Sequence, residues 1–123
     1  DYGHHPDEIK ATLKGARQMG YARVLCAYQP HTYSRTAELF ADFASALDVA
    51  DEVVIAKIYA AREVDTLGVS AQKLAAAIGE KAVALPSFEA IAEYIRQNAR
   101  EGDLVVVMGA GDIYKVFPLL DLQ

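Results

Sequence analysis

The sequence has 123 residues, of which 53% are hydrophobic and 24% charged, and this composition suits one globular domain rather than a disordered chain. With 12 basic and 17 acidic residues the formal net charge is −5, which argues against a general binder of nucleic acid or of an anionic membrane. The one cysteine, Cys26, excludes a disulfide framework, so we expect a small buried thiol in a reducing cytoplasm.

Helical and strand patterns alternate from one end of the chain to the other. In chain order, apolar spacing and capping residues predict a helix at 6–19, a strand at 23–28, a helix at 36–48, a strand at 52–58, a helix at 70–79, a strand at 81–86, a helix from 88, a strand at 104–109 and a short helix from about 113. The strands are continuous apolar runs, which is typical of parallel strands buried on both faces. We therefore predict an α/β domain with a mostly parallel sheet and helices on both faces. No apolar run reaches the roughly 18 residues of a membrane span.

Four polar segments fall at the carboxyl ends of the predicted strands, where the ligands of such a sheet bind. DYGHHP precedes the first helix, QPHTYSRT follows the first strand, YAAREVD the second and GAGD the fourth. All three histidines lie in these segments. DYGHHP is expected to end a strand whose body lies upstream of residue 1, and the absence of an initiator methionine suggests a segment cut from a longer protein.

The histidines allow more than one role. A metal site formed by His4, His5 and His31 is disfavoured, because adjacent histidines point apart and no ligand spacing such as HxxxH is present. His5 could cap the first helix while His4 bonds a neighbour. Alternatively, both imidazoles and the helix N-terminus could hold an anion such as a phosphate.

The GAGD segment, Arg35 and Asp1 each allow a structural role and a binding role. Gly109 and Gly111 fit a plain strand-to-helix turn, and they also fit a close approach of backbone N–H groups to a phosphate or substrate. Arg35 is either a solvated surface arginine or a bidentate partner for a carboxylate or phosphate. Asp1 is either an ordinary turn aspartate or an acceptor for ribose hydroxyls.

Taken together, DYGHHPDEIKATL, QPHTYSRT and MGAGDI resemble, in this order and spacing, the carboxy-terminal domain of the Mur ligase family, and in particular of its L-alanine-adding members. The resemblance covers essentially the whole chain. It implies that residues 1–123 form a single Rossmann-like three-layer domain that brings the incoming amino acid. The N-terminal UDP-binding domain and the central ATPase domain of the family would then lie upstream and be absent from this chain.

The reaction that the resemblance implies is ATP-dependent amide formation. The lactyl carboxylate of UDP-N-acetylmuramate is phosphorylated to an acyl phosphate, and the amine of L-alanine attacks it through a tetrahedral intermediate. ATP and Mg²⁺ are the implied cofactors, and both would be bound mainly by the central domain. The isolated third domain is therefore expected to be inactive, and its partners would be its own upstream domains, with no nucleic acid and no membrane.

The family motifs also imply roles for individual residues. Asp1 would contact the ATP ribose, Tyr2 would lie beside the adenine, and His5, with His4 beside it, would face the nucleotide phosphates. The resemblance implies no metal ligand in this domain.

The second set of implied residues would hold the amino acid. His31 and Arg35 would lie near its carboxylate and the new amide, as catalytic and substrate-binding residues. Tyr59, Ala60 and Ala61 would lie near the alanine side chain. The same cleft would be lined by Gly109, Gly111 and Asp112. Many relatives have arginine where Thr32 stands, so a second basic contact at this position is not expected.

Two other functions stay open. The murein peptide ligase of cell-wall recycling shares the HHP element but has a different motif in place of QPHTYSRT. A stand-alone nucleotide-binding or receiver-like α/β module is the third possibility. A receiver would need an aspartate at a strand end, whereas the first strand here ends in Gln29, Pro30 and His31.

Overall fold

The computed structural model describes residues 5–64 and 67–120. Within these ranges the chain alternates between parallel strands and helices. The elements in chain order are α1 (Pro6–Arg17), β1 (Arg23–Tyr28), α2 (Tyr33–Glu38), α3 (Phe40–Leu47), β2 (Glu52–Ile55), α4 (Ala71–Ile78), β3 (Ala82–Ala84), α5 (Phe88–Asn98), β4 (Asp103–Met108), a 3₁₀ turn (Ile113–Lys115) and α6 (Val116–Leu120). None of the helices in the described ranges is long and apolar enough to cross a bilayer.

The four strands form one parallel sheet in the order β3-β2-β1-β4. β1 and β4 pair along their whole length, from Arg23 opposite Asp103 to Tyr28 opposite Met108. The chain therefore runs outward from β1 through β2 to β3 and then returns across the sheet to β4. This reversal places a crevice at the carboxyl ends of β1 and β4, which is where ligands of open α/β sheets bind.

Helices cover both faces of the sheet, which confirms the predicted three-layer α/β architecture. Along β1 the side chains of Val24, Cys26 and Tyr28 pack with α1, α3 and α4, whereas Leu25 and Ala27 pack with α5 and α6. Since successive side chains of a strand point to opposite faces, one apolar run supplies both cores. Cys26 is fully buried, as expected, and burial raises the pKa of its thiol to about 12.

The predicted helix caps are confirmed. Ser70 accepts a hydrogen bond from the backbone N–H of Lys73 at 3.1 Å, and Ser87 accepts one from Ala90 at 3.1 Å. Each serine satisfies one of the N–H groups that have no partner at a helix start. Gly79 ends α4 with a φ of +118°, in the region that favours glycine.

Some predicted boundaries were wrong. β2 ends at Ile55 rather than at residue 58, and β3 covers 82–84 rather than 81–86. The predicted helix at 36–48 is two helices that begin at Tyr33 and meet at Leu39. Helix α2 starts early because Thr32 caps it, and its first turn therefore includes Arg35, which had been expected between elements.

The amino ends of the strands are joined by charged side chains. Arg23 donates to Glu52 and, at 2.7 Å, to Oδ2 of Asp103, while the Tyr94 hydroxyl donates to Glu52 at 2.7 Å. This network lies at the opposite end of the sheet from the predicted ligand edge. It holds the starts of β1, β2 and β4 in register.

Asp51, just before β2, ties that strand to its neighbours. Its Oδ2 accepts from the backbone N–H of Val24 at 2.7 Å, and its Oδ1 pairs with Arg17 at 2.9 Å. Partial burial acts to raise the pKa of the Asp51 carboxyl. These hydrogen bonds and the nearby positive charges outweigh that effect, so its pKa lies below the ordinary value.

Candidate functional site

The loops that follow β1 and β2 are joined at the carboxyl edge of the sheet. The backbone N–H of Thr32 donates to the carbonyl of Tyr59 at 2.8 Å, and the N–H of Tyr59 donates to the carbonyl of Pro30 at 2.9 Å. The rings of His31 and Tyr59 stack with centroids 5.6 Å apart and planes inclined by 11°. Two residues that the sequence assigned to one site are thus in direct contact.

Both of these loops contain strained backbone. Among the described residues, the two that have positive φ without being glycine are Thr32, at +65°, and Ala61, at +57°. Such conformations cost on the order of 1–3 kcal/mol each and tend to cluster at functional sites. For a β-branched threonine the strain is pronounced. The strained Thr32 directly follows His31, and this observation favours the edge as the functional site without reference to any motif.

Helix α2 carries Arg35 at this edge. Thr32 fixes the start of the helix, because its Oγ1 accepts from the N–H of Arg35 at 3.3 Å and its carbonyl accepts from the Thr36 hydroxyl at 2.7 Å. Within the part of the chain that the structure describes, no hydrogen bond or salt bridge engages the Arg35 guanidinium. The half-buried arginine is thus available for an anionic ligand.

Tyr28 ends β1 beneath this edge and is fully buried. Its hydroxyl has no hydrogen-bond partner among the described residues, and burial raises the pKa of Tyr28 above its ordinary value. The positive charge of Arg35 acts in the opposite direction on this pKa.

Glu63 makes a contact at this edge that the sequence did not predict. It lies in the loop after β2, and its Oε1 accepts from the backbone N–H of Ser34 at 3.0 Å while Oε2 accepts from the Ser34 hydroxyl. These two bonds hold the pKa of Glu63 below its usual range, and the bond from the Ser34 hydroxyl has the larger effect. The segment YAAREVD had indicated a polar loop at this point. Nothing in it indicated which residue would reach across to α2.

Gln29 is the second residue that was missed, and it holds the GAGD turn. Its Oε1 accepts from the N–H groups of Asp112 at 2.9 Å and of Ile113 at 3.0 Å, and its Nε2 donates to Oδ1 of Asp112 at 2.9 Å and to the carbonyl of Lys57 at 3.3 Å. Only 4% of Gln29 is exposed. One buried amide therefore ties the end of β1 to the turn after β4.

The two glycines of GAGD are explained by packing. Gly109 has a φ of +156°, and a Cβ at Gly111 would lie 2.6 Å from Oε1 of Gln29 and 2.6 Å from Cγ of Tyr59. The turn can come this close to the end of β1 only without side chains at these positions. The structural interpretation of the turn thus accounts for both glycines without any ligand.

A cleft of about 450 Å³ opens beside this turn. Three of the predicted substrate residues line it, Tyr59, Ala60 and Asp112, together with Lys57, which had not been predicted. His31 adjoins the cleft through its stack on Tyr59, whereas Arg35 is not among the lining residues. The residues predicted to bind the amino acid therefore lie at one edge of the sheet, in two groups, one at the cleft and one at the start of α2.

The predicted nucleotide residues are described only in part. Asp1, Tyr2 and His4 lie outside the described residues. His5 caps α1, because its Nδ1 accepts from the N–H of Asp7 at 3.1 Å, and this leaves Nε2 as the ring nitrogen that can face a ligand. Two acidic residues, Asp7 and Glu8, already lie in the first turn of α1, so this helix end is less favourable for a phosphate than a neutral one. Within residues 5–64 and 67–120, no group of three or more His, Cys, Asp or Glu side chains could hold a metal ion.

The chain matches a known protein family. The model of the family described as Mur ligase, glutamate ligase domain, matches residues 1–111. A UDP-N-acetylmuramate–L-alanine ligase of Lachnospira eligens is 56% identical over 119 residues, which are 94% of this chain and 26% of that protein. The ligase of the same name from Acetivibrio thermocellus is 51% identical over 119 residues, 94% of this chain and 25% of that protein. The chain thus spans about a quarter of the length of these curated relatives.

Solved structures agree with the sequence comparison. The UDP-N-acetylmuramate–alanine ligase of Thermotoga maritima superposes with a TM-score of 0.73 at 26% identity, over 98% of this chain and 24% of that one. The murein peptide ligase of Psychrobacter arcticus superposes with a TM-score of 0.69 at 22% identity, over 100% of this chain and 27% of that one, and this likeness concerns the fold alone. With a family model that covers most of the chain and relatives above 50% identity, the chain belongs to the Mur ligase family, as a carboxy-terminal domain of that family.

Proposed function

We propose that the chain is the amino-acid-binding domain of a ligase that joins L-alanine to UDP-N-acetylmuramate at the expense of ATP. The observation that carries the proposal is the 56% identity over 119 residues to a ligase of that name. The geometry supports it, because His31 and Tyr59 stack at the same sheet edge to which α2 brings Arg35. This step belongs to peptidoglycan synthesis in the cytoplasm, on which cell shape and division depend.

In this proposal residues 1–123 form one domain of a longer enzyme. The UDP-sugar would be bound by an N-terminal domain and ATP with Mg²⁺ mainly by a central domain, both encoded upstream. The described residues fit a peripheral contact to a nucleotide, through Nε2 of His5, rather than a phosphate cradle. Contacts from Asp1, Tyr2 and His4 to the ribose, adenine and phosphates remain part of the proposal. The domain alone would be inactive.

Arg35 and His31 would act on the amino acid and the reacting carbonyl. A half-buried guanidinium that no residue of 5–64 or 67–120 engages can form two parallel bonds to the carboxylate of alanine and hold it in one orientation. The imidazole of His31, whose ring is held by Tyr59, can donate to the oxyanion of the tetrahedral intermediate. Neither residue has to act as a base, because positioning and charge neutralisation lower the barrier on their own.

The rest of the proposed site would shape the pocket for the substrate. Tyr59 and Ala60 would lie beside the methyl group of alanine, and Asp112 would line the same cleft. Gly109 and Gly111 are not among its lining residues, and would act by letting the turn pack against Tyr59. Bound ATP supplies the phosphoryl group that activates the lactyl carboxylate. The residues of this chain would bind the amino acid, orient its amine toward the activated carboxylate and exclude water from that amine.

The test uses the complete open reading frame that contains this segment. Phosphate release is followed with ATP, Mg²⁺ and UDP-N-acetylmuramate, with L-alanine in one reaction and the tripeptide L-alanyl-γ-D-glutamyl-diaminopimelate in another. Release with L-alanine alone is the expected result. Release with the tripeptide alone would reassign the chain to the recycling ligase. No release in either reaction would favour a nucleotide-binding module without this activity.

Arg35→Ala in the same enzyme tests the carboxylate contact. Since a hydrogen bond to a charged group contributes about 1.5–3 kcal/mol, we expect the KM for L-alanine to rise about 10- to 100-fold while the protein stays folded. Arg100→Ala, which removes an exposed arginine next to the amino end of β4, is the matched control. An unchanged KM for L-alanine in Arg35→Ala would contradict the assignment.

A further inference from the structure

We propose that Glu63 is a positioning residue for the amino-acid site: its carboxylate locks the first turn of α2 onto the loop after β2 and so holds Arg35 and His31 in place. The inference rests on the proposed function, since it concerns the same site. It assigns a role to a residue that contacts neither the cleft nor, in this proposal, the substrate.

Several contacts join the two loops, and Glu63 supplies one that reaches into the helix. The backbone bridge and the ring stack involve residues up to Thr32 and end before α2 begins. Beyond that point Glu63 binds both the N–H and the hydroxyl of Ser34. Ser34 directly precedes Arg35, so the carboxylate fixes the backbone from which the arginine side chain extends.

The start of α2 needs such a contact. The helix has only six residues, and a helix this short is marginal without outside partners. Its cap, Thr32, is held in a conformation that threonine rarely adopts, so relaxation of this turn would release strain and redirect His31 and Arg35. The Glu63 carboxylate satisfies an N–H group that has no partner inside the helix and places a negative charge at the positive end of the helix.

The loop after β2 is folded in a way that presents this carboxylate. Ala61 takes a positive φ of +57°, and the N–H of Glu63 donates to the carbonyl of Ala60 at 2.9 Å. This tight turn brings the chain back toward α2 after Tyr59 has left the sheet.

The experiment uses the full enzyme with Glu63→Ala and, as a matched control, Glu93→Ala. Glu93 is an exposed glutamate that also accepts two hydrogen bonds, from Arg96 at 2.8 Å and from Gln97 at 2.9 Å, but it lies on α5. Two quantities are measured: the KM values for L-alanine and UDP-N-acetylmuramate, and amide hydrogen exchange over residues 33–38. Both variants are first compared with the wild type by thermal unfolding.

We expect Glu63→Ala to raise the KM for L-alanine by about 10-fold or more, because small misplacements of binding groups have effects of this size. The KM for UDP-N-acetylmuramate should stay unchanged, and exchange over 33–38 should become faster. Glu93→Ala should change neither quantity. Glu63→Gln keeps a carbonyl oxygen for the Ser34 N–H and should give an intermediate KM for L-alanine.

The inference and the proposed function fail in different ways. If the wild-type enzyme turns over with L-alanine and Glu63→Ala has the wild-type KM, or raises both KM values equally, the positioning role is overturned and the function stands. Unchanged exchange over 33–38 in Glu63→Ala would also overturn the role. A wild-type enzyme without turnover on L-alanine would overturn the function, and the inference with it.

Discussion

Replacing Gln29 with methionine removes the buried amide that ties the end of β1 to the turn after β4. Methionine has a similar length and is apolar, so the packing volume changes little. The substitution leaves the backbone N–H groups of Asp112 and Ile113 without their acceptor. It also removes the donor for Oδ1 of Asp112 and for the carbonyl of Lys57.

The size of the effect follows from the burial of these groups. Ile113 is 2% exposed, so its N–H pays the full cost of an unmade hydrogen bond, about 1–3 kcal/mol. The Asp112 side chain is 34% exposed, and water can replace part of what its N–H and carboxylate lose. We therefore expect the free energy of unfolding to fall by about 2–4 kcal/mol.

Urea unfolding of the 123-residue chain measures this change. With a slope of about 2 kcal/mol per molar urea, the midpoint should fall by about 1–2 M at an unchanged slope. Gln97→Met, which replaces an exposed glutamine on α5, should leave the midpoint within experimental error. A loss below about 0.5 kcal/mol in Gln29→Met, in the range of ordinary surface substitutions, would refute the reasoning.

Three further predictions concern stability. Gly111→Ala places a methyl group 2.6 Å from its nearest neighbours and should lower the free energy of unfolding by about 1–3 kcal/mol. Gly15 lies in α1, where an added methyl group would meet no atom within 4 Å, so Gly15→Ala should raise the free energy of unfolding by about 0.5–1 kcal/mol. Opposite shifts of the thermal midpoint check this pair. Tyr28→Phe removes a buried hydroxyl that has no partner in the described part of the chain and should be neutral or stabilising by about 1 kcal/mol, whereas Tyr94→Phe should destabilise by about 1 kcal/mol; a large loss in Tyr28→Phe in urea unfolding would reveal an unseen partner. Because the pKa of Asp51 is lower in the folded chain than in the unfolded one, its contribution is present at neutral pH and is lost as the pH falls through its folded pKa, so Asp51→Asn should be less stable than the wild type at pH 7. The difference should begin to narrow as the pH falls below about 4, where the unfolded carboxyl takes up its proton, and should vanish only below the folded pKa. Equal destabilisation of Asp51→Asn at neutral and at strongly acid pH would contradict that assignment.

The two loops at the carboxyl edge connect the structural and functional predictions. Thr32 and Ala61 hold strained backbone, and each directly follows a residue proposed to bind substrate. If that strain serves to hold His31 and Arg35 in position, then replacing Glu63 should change the binding of L-alanine more than the free energy of unfolding. Replacing Gln29 should have the opposite pattern: it should lower the free energy of unfolding directly, and it should alter the cleft only because the turn after β4 is no longer held.

Local patterns predicted the type and order of most elements and their burial, although not the break at Leu39 or the ends of β2 and β3. The continuous apolar run around Cys26 predicted a strand covered on both faces, and Ser70 and Ser87 marked helix starts that the structure confirms. Each of these predictions depends on residues within a few positions of one another, where side-chain spacing and capping act directly. The polar segments at the strand ends were placed at one edge for the same reason, because parallel strands all end on the same side.

The partners across the sheet could be decided only by the tertiary structure. Gln29 and Asp112 are 83 residues apart, and Ser34 and Glu63 are 29 apart, so no periodicity relates them. Their contacts depend on the strand order β3-β2-β1-β4, which brings the end of β1 between the loops after β2 and β4. The sequence by itself determined which residues are polar at the strand ends and which are buried between them. Strand pairing, which sums many distant contacts, decided which of those polar residues touch: it stacked His31 on Tyr59, assigned Gln29 to the glycine turn and brought Glu63 to the start of α2.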